Sequence, residues 1–119
     1  KSPKLINILL NGRDVAIVSN AGMPCISDPG YLLIQDAINT NIRIVPVPGP
    51  TALALALAGS GLPAERFIFE GFLPRKKNLR IERLYSIKSD ERTVIFYETA
   101  RRIKNILYDI QKVFGNRRA

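Results

Sequence analysis

The chain contains no histidine and no tryptophan, and it has one cysteine and one methionine among 119 residues. Without histidine there can be no Ser-His-Asp triad, no histidine base and no Cys/His zinc cluster, and we expect no metal site. Because Cys25 is alone, an internal disulfide is excluded, which favours a reducing, cytoplasmic location. No apolar run approaches the roughly 18 residues that cross a bilayer, so we expect no membrane partner.

Acidic residues are scarce relative to basic ones, and the formal net charge is +8. Residues 1–63 carry four Lys or Arg and three Asp or Glu, whereas residues 64–119 carry fourteen and seven. This shift coincides with the chain-breaking sequence Gly61-Leu62-Pro63, so we predict two domains, 1–62 and 63–119. The positive excess of the second part indicates an anionic partner.

Apolar periodicity predicts an α/β fold in which strands and helices alternate. The predicted strands are 15–19, 42–47, 67–72 and 93–97, and the predicted helices are 5–10, 31–39, 51–58, 78–87 and 100–114. Residues 51–58 (TALALALA) alternate like a strand, but alanine and leucine favour a helix. Asp28 is the predicted N-cap of the second helix, with Pro29 at its first position. The phenylalanines of 67–72 are expected in the core.

Two loops rich in glycine and proline follow the first two predicted strands. Residues 19–30 read SNAGMPCISDPG, and residues 48–51 read PGPT. Glycine and proline turn the backbone sharply, and small side chains let a ligand approach it closely. Since ligands of open α/β sheets bind at the carboxyl ends of strands, these loops predict a ligand cleft.

Four segments, in order and spacing, closely resemble the ribosomal RNA small subunit methyltransferase I family of the tetrapyrrole methylase superfamily. They are SNAGMPCISDPG, VPVPGPTALALALAGSGLP, RFIFEGFLPRKK and TVIFYETARRI. The resemblance implies a homodimer of two-domain α/β subunits with S-adenosylmethionine between the domains. It implies methylation of a cytidine ribose 2′-hydroxyl in small-subunit (16S) ribosomal RNA. The chain is then expected to be an internal fragment that covers the later part of the N-terminal domain and the start of the C-terminal one.

The same resemblance assigns cofactor contacts to matching positions only. They are Asn20, Ala21, Met23, Thr51, Ala52 and Tyr97. The family usually has aspartate in place of Asn20 and threonine in place of Met23. Asparagine keeps an oxygen acceptor but lacks the charge that could pair with the cofactor's ammonium group.

Methyl transfer to a hydroxyl also requires removal of a proton, and without histidine the candidates are carboxylates, lysine, tyrosine or water. Glu98, at the end of the last predicted strand, is a weak candidate, because a carboxylate there could equally cap a helix or form an ion pair. Cys25 is predicted to fill space, since transfer from a sulfonium needs no covalent enzyme intermediate.

The excess of basic residues predicts contacts with RNA phosphates. The candidates are Arg75, Lys76, Lys77, Arg80, Arg101 and Arg102. Arg101 and Arg102 are predicted in the first turn of the last helix, where the macrodipole disfavours positive charge, so an anion is expected nearby.

Three alternative functions remain open from the residues alone. A precorrin-type methylase would share the cofactor loops, but its substrate gives no reason for the basic second part. A Rossmann-type nucleotide enzyme would need a G-x-G-x-x-G turn, which is absent. A non-catalytic RNA-binding module would explain the charge and leave the two loops without a purpose.

Overall fold

The computed structural model describes residues 2–119 and shows a mixed α/β chain. The elements in order are α1 (Ser2–Leu10), α2 (Tyr31–Asn39), α3 (Ala52–Ser60), β1 (Phe67–Phe72), α4 (Lys77–Ser86), β2 (Thr93–Tyr97) and α5 (Ile103–Phe114). The chain divides into two compact units, Lys1–Ala52 and Leu53–Ala119. The predicted domain boundary at 62/63 stays a prediction.

The second unit contains a two-stranded parallel sheet that matches the predicted strands. The register runs from Phe67 opposite Thr93 to Phe72 opposite Tyr97, with a bulge between Phe69 and Gly71. Gly71 has φ +63°, a conformation that glycine adopts without a side-chain clash. Parallel strands need a long crossover, and α4 supplies it. The core beside the sheet consists of Leu73, Leu84, Ile106 and Val113.

Helix α5 buries an apolar face that includes Ile106 and Val113, as its sequence period predicts. It ends at Gly115, whose N–H donates to the carbonyl of Gln111 at 2.8 Å. It begins at Ile103, so the prediction that Arg101 and Arg102 lie in its first turn is wrong. The carbonyl of Thr99 accepts hydrogen bonds from the N–H groups of Arg102 and Ile103, which closes a separate turn before the helix.

The first unit lacks the two strands predicted at 15–19 and 42–47, and these predictions are wrong for the described residues. Burial does alternate along 15–19 and 42–45, with half-buried residues separated by exposed ones such as Val18, which is 85% exposed. A strand, however, requires a hydrogen-bonded neighbour. The two segments instead line a largely apolar cavity of about 710 Å³, and no backbone ladder joins them.

Helices α2 and α3 confirm the predicted helices, but their details differ. The N-cap of α2 is Gly30, at φ 140°, and the prediction of Asp28 is wrong, because the loop turns once more before the helix begins. Helix α3 forms despite its alternating sequence, and none of its residues is buried. Leucine and alanine in strict alternation make a helix apolar on every side, so no single face is marked for burial. Among residues 2–119, no helix combines the length and apolar character needed to cross a membrane.

Candidate functional site

The two loops predicted to form a cleft pack against each other in the first unit. A methyl group added at Gly49 would lie 3.2 Å from Sδ of Met23. One added at Gly22, which has φ +75°, would lie 3.5 Å from the carbonyl oxygen of Pro50. Glycine therefore permits the close approach at Gly49, whereas at Gly22 it permits the positive φ of the turn.

The first loop also holds two residues in a conformation that side chains rarely adopt. Cys25 has φ 68° and Ser27 has φ 54°. A methyl group on Gly30 would lie 2.5 Å from Sγ of Cys25, so the cysteine fills the space that this glycine leaves. Non-glycine residues with positive φ cost free energy and cluster at ligand sites, which makes this loop the leading candidate.

Three predicted cofactor residues lie in this loop with different exposures. Asn20 and Ala21 are exposed, whereas Met23 is half-buried and lines the cavity. Ser19 fixes the backbone between them, because its hydroxyl donates to the carbonyl of Ala21 at 3.0 Å and accepts from the N–H of Ala21 at 3.3 Å. The open face of the loop is therefore formed by a rigid turn with small side chains.

Thr51 and Ala52 lie where the second loop meets α3. The hydroxyl oxygen of Thr51 is buried and has no hydrogen-bond partner in the described residues. A buried hydroxyl without a partner is destabilising, so we expect a polar partner for it from outside the described residues. Ala52 is the first residue of α3, whose early N–H groups lack partners within the helix.

Tyr97 ends β2 in the second unit and reaches the start of α3. Its hydroxyl accepts a hydrogen bond of 2.9 Å from the N–H of Leu53. Its ring makes edge contacts with Phe69 and Phe72, at centroid distances of 4.8 and 5.8 Å. The bulge before Gly71 turns Phe72 to the side of Tyr97, a common use of bulges near functional sites.

Phe67 and Phe72 are not core residues, contrary to prediction. Phe67 is 39% exposed and Phe72 is 49% exposed, whereas Phe69 is half-buried. The bulge changes the alternation along β1, and a two-stranded sheet covers little of an aromatic ring.

Glu98 follows Tyr97, and its side chain is only 3% exposed. One carboxylate oxygen accepts from the N–H of Thr99 at 2.7 Å and from its hydroxyl at 3.2 Å. The other oxygen lies 3.2 Å from Nη2 of Arg102, an ion-pair distance, but the two atoms do not form a well-directed hydrogen bond. Glu98 thus accepts hydrogen bonds at a turn and lies at ion-pair distance from Arg102, which matches the structural alternative to a catalytic base.

The six basic candidates separate into two groups. Arg75, Lys76, Lys77 and Arg101 are exposed, and within residues 2–119 none of them forms an ion pair. The guanidinium groups of Arg80 and Arg102 are instead engaged by the protein. Arg80 is buried against Asp109, and Arg102 donates to the carbonyl of Leu73 at 3.1 Å. These two arginines are not available as free phosphate ligands.

Sequence reasoning missed the ion pair between Arg80 and Asp109. Nε of Arg80 donates to Asp109 at 2.8 Å, and Nη2 lies 2.7 Å from the same carboxylate. The signal was present in the sequence, because Asp109 lies on the apolar face of α5, three residues after Ile106 and four before Val113. An acid on such a face needs a basic partner, since a lone buried charge is very costly.

Comparison with known proteins gives the family. Residues 4–119 match the sequence profile of the Tetrapyrrole (Corrin/Porphyrin) Methylases. A protein of Pseudomonas aeruginosa is 50% identical over 115 residues, which are 97% of this chain and 41% of the relative. One of Halalkalibacterium halodurans is 49% identical over 114 residues, 96% of this chain and 39% of the relative. One of Buchnera aphidicola subsp. Baizongia pistaciae is 48% identical over 118 residues, 99% of this chain and 40% of the relative.

All three relatives bear the name Ribosomal RNA small subunit methyltransferase I, which confirms the resemblance read from the four sequence segments. The chain spans about two fifths of their length. The profile match covers nearly all of the chain, and the chain belongs to the family of tetrapyrrole (corrin/porphyrin) methylases.

Proposed function

We propose that the protein containing this chain transfers a methyl group from S-adenosylmethionine to small-subunit ribosomal RNA, at the 2′-hydroxyl of a cytidine ribose. The observation that carries the proposal is the identity of about half across nearly the whole chain with proteins named for that RNA. The nucleotide and the 2′-oxygen come from the family resemblance. We also propose that this protein is a homodimer and that it is located in the cytoplasm.

The first unit supports a cofactor of this kind. S-adenosylmethionine supplies a methyl group already activated by its sulfonium. The paired loops offer an open backbone at Asn20, Ala21 and Met23, and Thr51 offers a buried hydroxyl that has no partner among residues 2–119. The start of α3 at Ala52 offers N–H groups suited to a carboxylate such as that of the cofactor.

Within the second unit, Tyr97 supports the same assignment by ordering the start of α3. Its hydroxyl accepts a hydrogen bond from the N–H of Leu53, so this N–H group of the helix is not free to bind a ligand. We propose that Tyr97 contributes to the cofactor site through this contact. Glu98 remains the weak candidate for the base, and its contacts with Thr99 and Arg102 favour an orienting role.

The basic surface supports an RNA substrate over a porphyrinoid one. Arg75, Lys76, Lys77 and Arg101 are exposed cations without acidic partners among the described residues. Such groups bind phosphates with release of counterions, and each contact contributes about 0.7 to 0.9 to the slope of log affinity against log salt. A tetrapyrrole has no phosphate backbone with condensed counterions, so its binding should depend much less steeply on salt.

Replacing Ala21 by tryptophan in the full-length protein tests the proposal. Binding of S-adenosylhomocysteine, measured by calorimetry, should be lost, and transfer of labelled methyl to small ribosomal subunits should fall with it. Ala64→Trp is the matched control, because Ala64 is also exposed but lies in the segment before β1.

Normal cofactor binding by the Ala21→Trp variant would refute the loop assignment. Cofactor binding by the parent without methylation of small subunits would refute the RNA assignment, and methylation of a precorrin by that same protein would establish the alternative.

A further inference from the structure

The guanidinium groups of two arginines converge on one stretch of backbone in the second unit. This stretch, residues 73–77, is called the basic loop here, and it connects β1 to the first residue of α4. Nη1 of Arg80 donates to the carbonyls of Pro74 at 3.1 Å and Arg75 at 3.0 Å. Nη2 of Arg102 donates to the carbonyl of Leu73 at 3.1 Å. Three successive carbonyls are therefore held by two guanidinium groups.

Each of the two arginines also contacts a carboxylate. Arg80 is anchored by Asp109 of α5, through Nε at 2.8 Å and Nη2 at 2.7 Å. Arg102 lies 3.2 Å from the carboxylate of Glu98. Asp109 and Glu98 thereby balance the charges of the two arginines, and a planar guanidinium with several donors can bind a carboxylate and carbonyls at once.

The contacts also determine what the basic loop presents outward. In a trans peptide the N–H points opposite to the carbonyl. Because the carbonyls of Pro74 and Arg75 face Arg80, the N–H groups of Arg75 and Lys76 face away from it. The side chains of Arg75, Lys76 and Lys77 are exposed, while Leu73, at 3% exposure, anchors the loop in the core.

We propose that Arg80 and Arg102 are positioning residues that hold the basic loop in one shape, so that Arg75, Lys76 and Lys77 form a preformed surface for RNA phosphates. This inference rests on the proposed function. The two arginines do not touch the RNA. They lower the ordering cost of the loop on binding, as preorganisation does at other interfaces.

Substituting lysine for each of these arginines tests the proposal in the full-length protein. Lysine keeps the charge, but its donors all lie on one nitrogen and cannot reproduce the planar fork with which Arg80 contacts Asp109 and the two carbonyls from separate nitrogens. The variants are Arg80→Lys and Arg102→Lys, the second of which avoids the most buried position. The matched control is Arg83→Lys, on the same helix, whose guanidinium binds Glu70 at 2.8 and 2.9 Å on the surface.

Trypsin cleavage after Arg75, Lys76 and Lys77 under native conditions measures how often the loop opens. Loss of one charge-assisted hydrogen bond should raise the open population about tenfold, and the cleavage rate with it. The control should cleave at the parental rate. Unchanged cleavage in both Arg80→Lys and Arg102→Lys would overturn the proposal.

RNA affinity then links the loop shape to binding. Arg80→Lys should weaken binding to small-subunit RNA by about fivefold to tenfold. In a background with Arg75, Lys76 and Lys77 all changed to glutamine, it should have no further effect. An equal loss in both backgrounds would overturn the proposal, because Arg80 would then act elsewhere.

The failure of the proposed function has a different signature. If neutralising the basic loop leaves RNA affinity unchanged while the parent still methylates small subunits, the loop does not bind RNA, and only this inference falls. If the parent binds the cofactor but does not methylate small subunits, the proposed function falls, and this inference falls with it. If neutralising the basic loop weakens RNA binding but Arg80→Lys and Arg102→Lys do not weaken it, only this inference falls.

Discussion

Two pairs of apolar segments in this chain have similar sequences and different outcomes. Residues 15–19 and 42–47 of the first unit form no strand, whereas β1 and β2 of the second unit pair in parallel over their predicted lengths. All four segments are short and rich in β-branched or aromatic residues. All have the length of a typical strand. The local sequence therefore does not explain the difference.

The difference lies in what surrounds each pair. Between β1 and β2 the crossover helix α4 packs on α5, and Leu84 and Ile106 fill the space beside the sheet. Between the other two segments lies a cavity of about 710 Å³, and Val45 and Val47 remain exposed. An apolar segment can therefore bury one side without becoming a strand, because strand pairing also requires a neighbouring segment at hydrogen-bonding distance.

The largest expected effect is a difference in core stability between the units. Leu84 of α4 is fully buried, so Leu84→Ala should lower the free energy of unfolding by about 3 kcal/mol, through lost burial and a cavity. Leu32 of α2 is 67% exposed, and Leu32→Ala should cost less than about 0.5 kcal/mol. Urea denaturation of both variants measures this, and equal losses would contradict the packing described for the two units.

Amide hydrogen exchange sharpens the comparison at the level of single strands. The ladder amides of β2 should be protected at least about a hundredfold relative to those of residues 15–18 and 43–45 in the 119-residue chain. The reason is that the first group donates to a paired strand, whereas no ladder bonds hold the second. Strong protection of residues 15–18 would show that this segment pairs in solution after all.

Much of the second unit could be predicted from sequence because its signals are local. Strands β1 and β2, the apolar face of α5 and its end at Gly115 each follow from period or from a single residue type. Helix α3 could also be predicted, since the propensities of alanine and leucine outweigh the misleading period.

The candidate site could be predicted only in part. The two loops lie close together at Gly49, where an added side chain would crowd Sδ of Met23, and Gly22 serves instead through its positive φ. The engagement of Arg80 and Arg102 could not be read from charge alone, because it depends on where Asp109 and the carbonyl of Leu73 lie in three dimensions. A basic residue near a loop can bind an external anion or the carbonyls of the loop itself, and only the fold decides between them.

The smallest expected effect concerns the turn that leads into β2. The described part of the first unit has no paired strand and therefore no equivalent turn. Arg92 donates to both carboxylate oxygens of Asp90, through Nε at 2.9 Å and Nη2 at 2.7 Å, and its backbone N–H donates at 3.0 Å. These bonds, the side-chain ones first, lower the pKa of Asp90 from 3.8 to about 2. The carboxylate form is thus favoured in the folded chain.

The depressed pKa of Asp90 gives the stability effect a definite sign. A folded-state pKa below the unfolded value contributes stability that is present above about pH 4 and is lost as the pH falls through about 2. Arg92→Gln should raise the pKa of Asp90 toward its ordinary value and remove this small contribution, whereas Arg101→Gln, a change at an exposed arginine outside this turn, should leave it in place. Carboxyl-carbon NMR titration measures both variants. If the pKa of Asp90 stays near 2 without Arg92, the side-chain pair does not set it, and the turn before β2 is held by backbone contacts alone.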